Sequence, residues 1–214
     1  MSHHVKMILR HPLAIRVLHW WNMIAITMLV LTGFYIHAPL QFKLFSSMDT
    51  ARTIHFIMMW ALIWGVIARV WYGLYTKDYK NIWFRLSDIR KFWSLILYYT
   101  FIKKTHPNYG KYNPGQKLMY TGVLFMAIIQ VITGFILYYP TGLGTWAYAL
   151  GGPTIVRMIH YAITWLFVYS VAVHVYLDLA EGLPVLYSMF TGKIPADFHS
   201  DVIEPDPRPV EAEA

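Results

Sequence analysis

Four stretches of this 214-residue chain are long, apolar and almost free of charge: Val17 to Ile36, Thr53 to Tyr75, Leu118 to Tyr139 and Met158 to Leu177. Arg69, near the end of the second, is the single full charge in any of them, and all eleven prolines fall outside. Each stretch has the roughly 20 residues that a helix needs to cross about 30 Å of hydrocarbon. Inside that layer a helix satisfies every backbone polar group within one segment. The expected fold is therefore an all-α integral membrane protein, a bundle of four transmembrane helices, I to IV. Composition agrees, with 57% hydrophobic and 14% charged residues against about 25% charged in soluble domains. A water-soluble domain and a charge-rich disordered chain are excluded. The net charge of +7 reports the loops of a membrane protein, and nucleic acid is not an expected partner.

The loops set the expected orientation, because short segments rich in Lys and Arg stay in the cytoplasm. Residues 77–117 hold nine of them, and Lys6, Arg10 and Arg16 precede helix I, whereas the opposite side receives Lys43, Arg52 and Arg157. Both termini are expected in the cytoplasm of a bacterial inner-membrane, multi-pass protein. The first apolar stretch is too long for the core of a signal peptide and is expected to remain as helix I. Phe92 to Ile102 is about half a span long and is bracketed by Arg90, Lys91, Lys103 and Lys104. It reads as an amphipathic helix lying on the membrane, between helices II and III. Residues 1–195 form the membrane domain. Residues 196–214 mix acids (Asp201, Glu204, Asp206, Glu211, Glu213) with Pro205, Pro207 and Pro209, and are expected to be disordered.

A short internal repeat is visible. Helix I ends in Leu31-Thr32-Gly33-Phe34 and helix III in Ile132-Thr133-Gly134-Phe135. Helix II opens Arg52-Thr53-Ile54-His55 with Trp60 five places on, and helix IV opens Arg157-Met158-Ile159-His160 with Trp165 five places on.

With no cysteine in the chain, iron–sulfur clusters, thiolate zinc and covalent c-type haem are excluded, and any metal must use histidine. Four of the ten histidines lie within the spans: His19, His55, His160 and His174. His160 and His174 are fourteen residues apart, so at 100° per residue their rings fall within about 40° of one face, and about 21 Å apart along the axis. One helix can thus serve two flat macrocycles at two depths. His55 starts its helix at the depth of His160, and His19 sits at the depth of His174. Two bis-histidine b-type haems follow, an outer one on His55 and His160 and an inner one on His19 and His174. The bland alternative is four interhelical hydrogen-bonding histidines. His37 shares a face with His19 and competes weakly as an outer ligand. His3, His4, His11, His106 and His199 lie in polar segments and read as surface residues.

Arg52 and Arg157 stand one turn before His55 and His160, where they can pair with haem propionates or simply snorkel at the interface. Gly33 and Gly134 clear space for a macrocycle or for a neighbouring helix. The nine Trp and sixteen Tyr read mostly as interface anchors.

These residues carry a family. Arg16-Val17-Leu18-His19-Trp20, His55, the His160 and His174 pair, and Lys111-Tyr112-Asn113-Pro114-Gly115-Gln116-Lys117 before helix III resemble the cytochrome b556 (gamma) subunit of membrane-bound respiratory formate dehydrogenases, over residues 10–195. The histidine pattern is shared with hydrogenase cytochrome b subunits. The resemblance implies an electron-transfer subunit with two haem b and no dehydrogenase active site of its own. Its implied partners are an iron–sulfur (beta) subunit and a molybdenum- or tungsten-pterin catalytic (alpha) subunit outside the cytoplasm, with menaquinone reduced at the cytoplasmic side. Asn113 and Gly115 would line the quinone pocket beside His174, and Gln116 and Lys117 would add donors there. The alternative for this segment is the chemistry of starting helix III, with Pro114 in its first turn. Pro114 and the acidic tail depart from the family pattern. The rival functions are the cytochrome b subunit of a hydrogenase or other molybdoenzyme, or, in another class, a haem-free membrane anchor or transporter.

Overall fold

A computed structural model describes residues 6–41, 44–100, 102–103 and 112–196. The acidic tail beyond Ala196, together with His3, His4, His106 and His199, lies outside the described residues. Among the described residues, eight helices and two short strands run in the order β1 (Met7–Leu9), α1 (Leu13–His37), α2 (Met48–Tyr75), α3 (Tyr79–Ile82), α4 (Asp88–Tyr99), α5 (Pro114–Tyr138), α6 (Pro140–Ala149), α7 (Pro153–Glu181), α8 (Leu183–Thr191) and β2 (Lys193–Pro195). Helices α1, α2, α5 and α7 are long and apolar enough to cross a membrane, which fits a multi-pass membrane protein with a four-helix bundle. They are the expected spans I to IV, lengthened at their ends. Proline occupies the first position of both α5 and α7, where its fixed φ suits the helix and its missing N–H has no partner to lose.

The chain divides into two compact units. One comprises Val17–Tyr72 and Val123–Val173 and holds the bodies of the four long helices. Its buried positions are mostly small or branched. Ala25, Ala51 and Ala127 are enclosed, and Ile136, Ala147 and Val156 pack into one cluster that ties α5, α6 and α7 together. Large side chains point outward instead, among them Trp64, Trp71 and Leu166. In hydrocarbon that arrangement is favourable, because helix association relies on close backbone approach and not on burying bulk.

The other unit comprises Gly73–Gly122 with the described residues up to Arg16 and from His174 on. It contains α4, the expected surface helix, which is strongly amphipathic and buries Asp88 and Leu95. It also contains an antiparallel pair that periodicity did not suggest, β1 with β2, in the register Met7 to Pro195, Ile8 to Ile194 and Leu9 to Lys193. The pair is extended by Arg10 and His11 amides donating to the Gly192 carbonyl at 2.8 and 3.1 Å. Gly192 closes α8 at φ +80° with its amide on Ser188, a left-handed position suited to glycine. Arg16 adds a guanidinium hydrogen bond to the Phe190 carbonyl. His11, expected on the surface, is buried here at 8% exposure, because the clasp folds back over it.

Candidate functional site

The repeat noticed in the sequence becomes a twofold arrangement within the bundle unit. Near the end of α1, the Thr32 hydroxyl lies 2.8 Å from Nδ1 of His55 on α2. Near the end of α5, the Thr133 hydroxyl lies 2.8 Å from Nδ1 of His160 on α7. Both threonines are buried. The glycine following each one faces the same ring: a Cβ added at Gly33 would sit 3.6 Å from His55 Cε1, and one at Gly134 3.5 Å from His160 Cε1. Each imidazole therefore rests in a Thr-Gly notch of the preceding long helix.

The aromatic contacts repeat the symmetry crosswise. Phe34, after the first notch, packs on Trp165 of α7 with centroids 5.1 Å apart, and Phe135, after the second, packs on Trp60 of α2 at 5.7 Å. Together the notches and the crossed aromatic pairs link α1 to α2, α2 to α5, α5 to α7 and α7 to α1. Gln130 on α5 donates to the Thr164 hydroxyl on α7 at 2.9 Å, and that hydroxyl donates to the His160 carbonyl at 2.9 Å, so the α7 backbone at His160 is also braced.

The donor set suits haem. Each ring has Nδ1 engaged, so Nε2 is the nitrogen it has to offer a metal, and the orienting hydrogen bond on the far nitrogen is what metal-ligating histidines usually carry. Among the described residues no group of three or more His, Cys, Asp or Glu could hold a bare metal ion. Two histidines with Nε2 to offer would complete the ligand set of an iron already held by a porphyrin.

The remaining expected residues are placed as follows. Arg52 and Arg157 are exposed, one turn from His55 and His160. His37 is exposed and stacks on Tyr161, centroids 4.2 Å apart and planes within 19°, so its ring face is used by an aromatic neighbour. His19 is half-buried in the second turn of α1, edge-on to Trp20 at 5.3 Å. His174 is half-buried on α7 and turns Nε2 toward Asp178 Oδ2, 3.4 Å away and one helical turn on. His19 and His174 belong to different compact units.

The segment expected to meet quinone has structural work of its own. Asn113 Oδ1 accepts from the Gln116 amide at 2.8 Å and Gln116 Oε1 accepts from the Asn113 amide at 3.1 Å. This is a reciprocal capping box that satisfies donors at the start of α5. Gly115 lets α4 approach, since a Cβ there would lie 3.2 Å from Leu95 Cδ2. Lys117 Nζ reaches Asp88 Oδ1 at 3.3 Å. Both side-chain carbonyl oxygens are thus committed to the start of α5. Thr32, Thr133 and Asp178 are contacts that reasoning from histidine spacing missed; the duplicated Thr-Gly pair was the available signal for the first two.

Fold and site together define a membrane b-type cytochrome. The chain belongs to the prokaryotic cytochrome b561 family, which matches residues 10–192 and whose members bind b-type haem. It is 31% identical over 190 residues, 79% of each chain, to a probable Ni/Fe-hydrogenase B-type cytochrome subunit of Azotobacter vinelandii. A subunit of the same description from Bradyrhizobium diazoefficiens is 26% identical over 84% of this chain and 82% of its own. A putative protein-methionine-sulfoxide reductase subunit, YedZ1, of Azospira oryzae is 25% identical over 77% of this chain and 87% of its own. These relatives favour the hydrogenase alternative over the formate dehydrogenase that the Asn113 to Lys117 segment suggested.

Proposed function

We propose that this chain is the di-haem cytochrome b subunit of a membrane-bound hydrogenase-type complex, carrying electrons between a partner redox subunit and the quinone pool. The observation that carries the reading is the twinned Thr–His pair, one on α1 and α2 and the other on α5 and α7. Haem, when bound, supplies a one-electron iron couple. The chain's part is to hold it: His55 and His160 would each offer Nε2, Gly33 and Gly134 lie against the two rings, and the apolar helix bodies exclude water. His19 and His174 would bind the second haem at the other depth, and Arg52 and Arg157 would pair with propionates. Asn113 and Gln116 would present their NH2 groups to a quinone carbonyl, with Gly115 and Lys117 beside them. The loop charges support cytoplasmic termini in a bacterial inner membrane.

The reading is tested on membranes of the source organism, with the chain tagged and its partners retained. Hydrogen should develop a b-type alpha band in the purified complex and formate should not. Reduction by formate alone would restore the formate dehydrogenase reading, and a colourless complex would remove haem from the account.

A further inference from the structure

The two threonines do more in this geometry than fill a helix position. Thr32 Oγ1 lies 2.6 Å from the Met28 carbonyl and 3.2 Å from that of Leu29. Thr133 Oγ1 lies 2.7 Å from the Ile129 carbonyl and 3.3 Å from that of Gln130. A hydroxyl oxygen that close to a carbonyl oxygen must have its single proton between them. That proton is therefore committed to the helix backbone, and toward the histidine the hydroxyl has only a lone pair. The imidazole nitrogen at 2.8 Å must then be the donor. Nδ1 carries the hydrogen on both His55 and His160, and Nε2 is the unprotonated, ligating nitrogen. The chain backbone carbonyl, threonine hydroxyl and imidazole form a relay whose direction is set by the one group that cannot donate, the carbonyl. The same relay occurs twice, once in each half of the repeat.

We propose that Thr32 and Thr133 are positioning residues that lock the tautomer of the two ligating histidines and strengthen them as donors to iron. The proposal rests on the haem reading above. A hydroxyl oxygen accepting from Nδ1–H draws the proton outward and leaves Nε2 more basic, which favours the ferric over the ferrous state and lowers the potential of the haem held there. Burial sharpens the effect, since Thr32 is 0% and Thr133 3% exposed and no water competes for the hydrogen bond. Valine is close to isosteric with threonine and lacks the oxygen, whereas serine keeps it.

The experiment compares Thr32→Val, Thr133→Val, the double variant and the two serine variants in the purified complex. Its readouts are haem per polypeptide, redox titration of each haem and the low-temperature electron paramagnetic resonance of the ferric form. The expected result is an upward shift of one haem potential in each valine variant, larger in the double variant, with the other haem unmoved and serine restoring the wild-type value. Potentials unchanged in valine variants that retain both haems would overturn the proposal and leave the threonines as helix-bonding residues only. Should the valine variants lose haem, nitrogen-15 histidine spectra of the haem-free wild-type protein decide: His55 and His160 as Nδ1–H tautomers support the proposal, and Nε2–H tautomers overturn it. Absence of haem from the wild-type complex would sink the functional reading instead, which keeps the two failures apart.

Discussion

His55 and His160 are two copies of one device, whereas His19 and His174 are copies of nothing. Each member of the first pair sits in a Thr-Gly notch with Nδ1 held at 2.8 Å. In the register of the repeat, the position matching His19 on α5 is Tyr120, and the position matching His174 on α2 is Arg69. The surroundings differ accordingly: His19 meets its neighbour Trp20, and His174 meets a carboxylate on its own helix. A duplicated helix pair supplies a twofold site once its notch and its ring are specified, because the second half repeats the first. The proposed site on His19 and His174 would have to be specified residue by residue, and the sequence departs from the repeat at both positions.

The largest effects should follow from removing rings. His55→Ala and His160→Ala should each empty one of the two proposed haem sites, and to the same extent, as measured by haem per polypeptide. Unequal losses would break the twofold reading. His19→Ala and His174→Ala should empty the other site and leave the first intact.

Intermediate effects are expected in the unsymmetrical unit, where α4 is pinned to α5 through Asp88 and Lys117. Lys117→Met removes the ammonium group hydrogen-bonded to Asp88, while Lys91 and the Arg85 amide remain, and should cost about 1 kcal/mol in thermal or denaturant unfolding, with little change in the spectrum of a haem on His55 and His160. Burial opposes ionisation of Asp88, but the Arg85 amide and the Lys117 and Lys91 ammonium groups outweigh it and hold the carboxyl below its usual range. A carboxyl depressed in the folded state stabilises fully above its unfolded pKa of about 4 and loses that contribution as pH falls through the folded value. Unfolding curves taken below pH 4 should therefore show a loss in the wild type that is absent from Asp88→Asn.

The smallest effects sharpen the comparison most. Gly33→Ala and Gly134→Ala place a methyl at ordinary contact distance from the two rings, so both should keep their haem with equally small spectral shifts. A large shift in one alone would show that the notches are not equivalent.

The four spans were legible because charge is so costly in hydrocarbon that its absence over 20 residues is itself a signal. The histidines were legible because helical periodicity fixes which rings share a face. Other features were hidden for physical reasons. Helices α6 and α8 have 10 and 9 residues and are set by packing more than by any apolar stripe. Strands β1 and β2 pair segments from opposite ends of the sequence, which no local pattern records. Asn113 and Gln116 carry donors suited to either a quinone or a helix start, and the residue types alone could not separate a capping box from a pocket. The burial of His11 follows from the clasp and could not be foreseen without it.

That clasp also orders events during biogenesis. Ile8 cannot find Ile194 until nearly the whole described chain has left the ribosome, so β1 must wait while every intervening helix is inserted. A nascent chain stopped before Lys193 has not yet made the strand that β1 pairs with, so the two ends can join only once α8 has been synthesised.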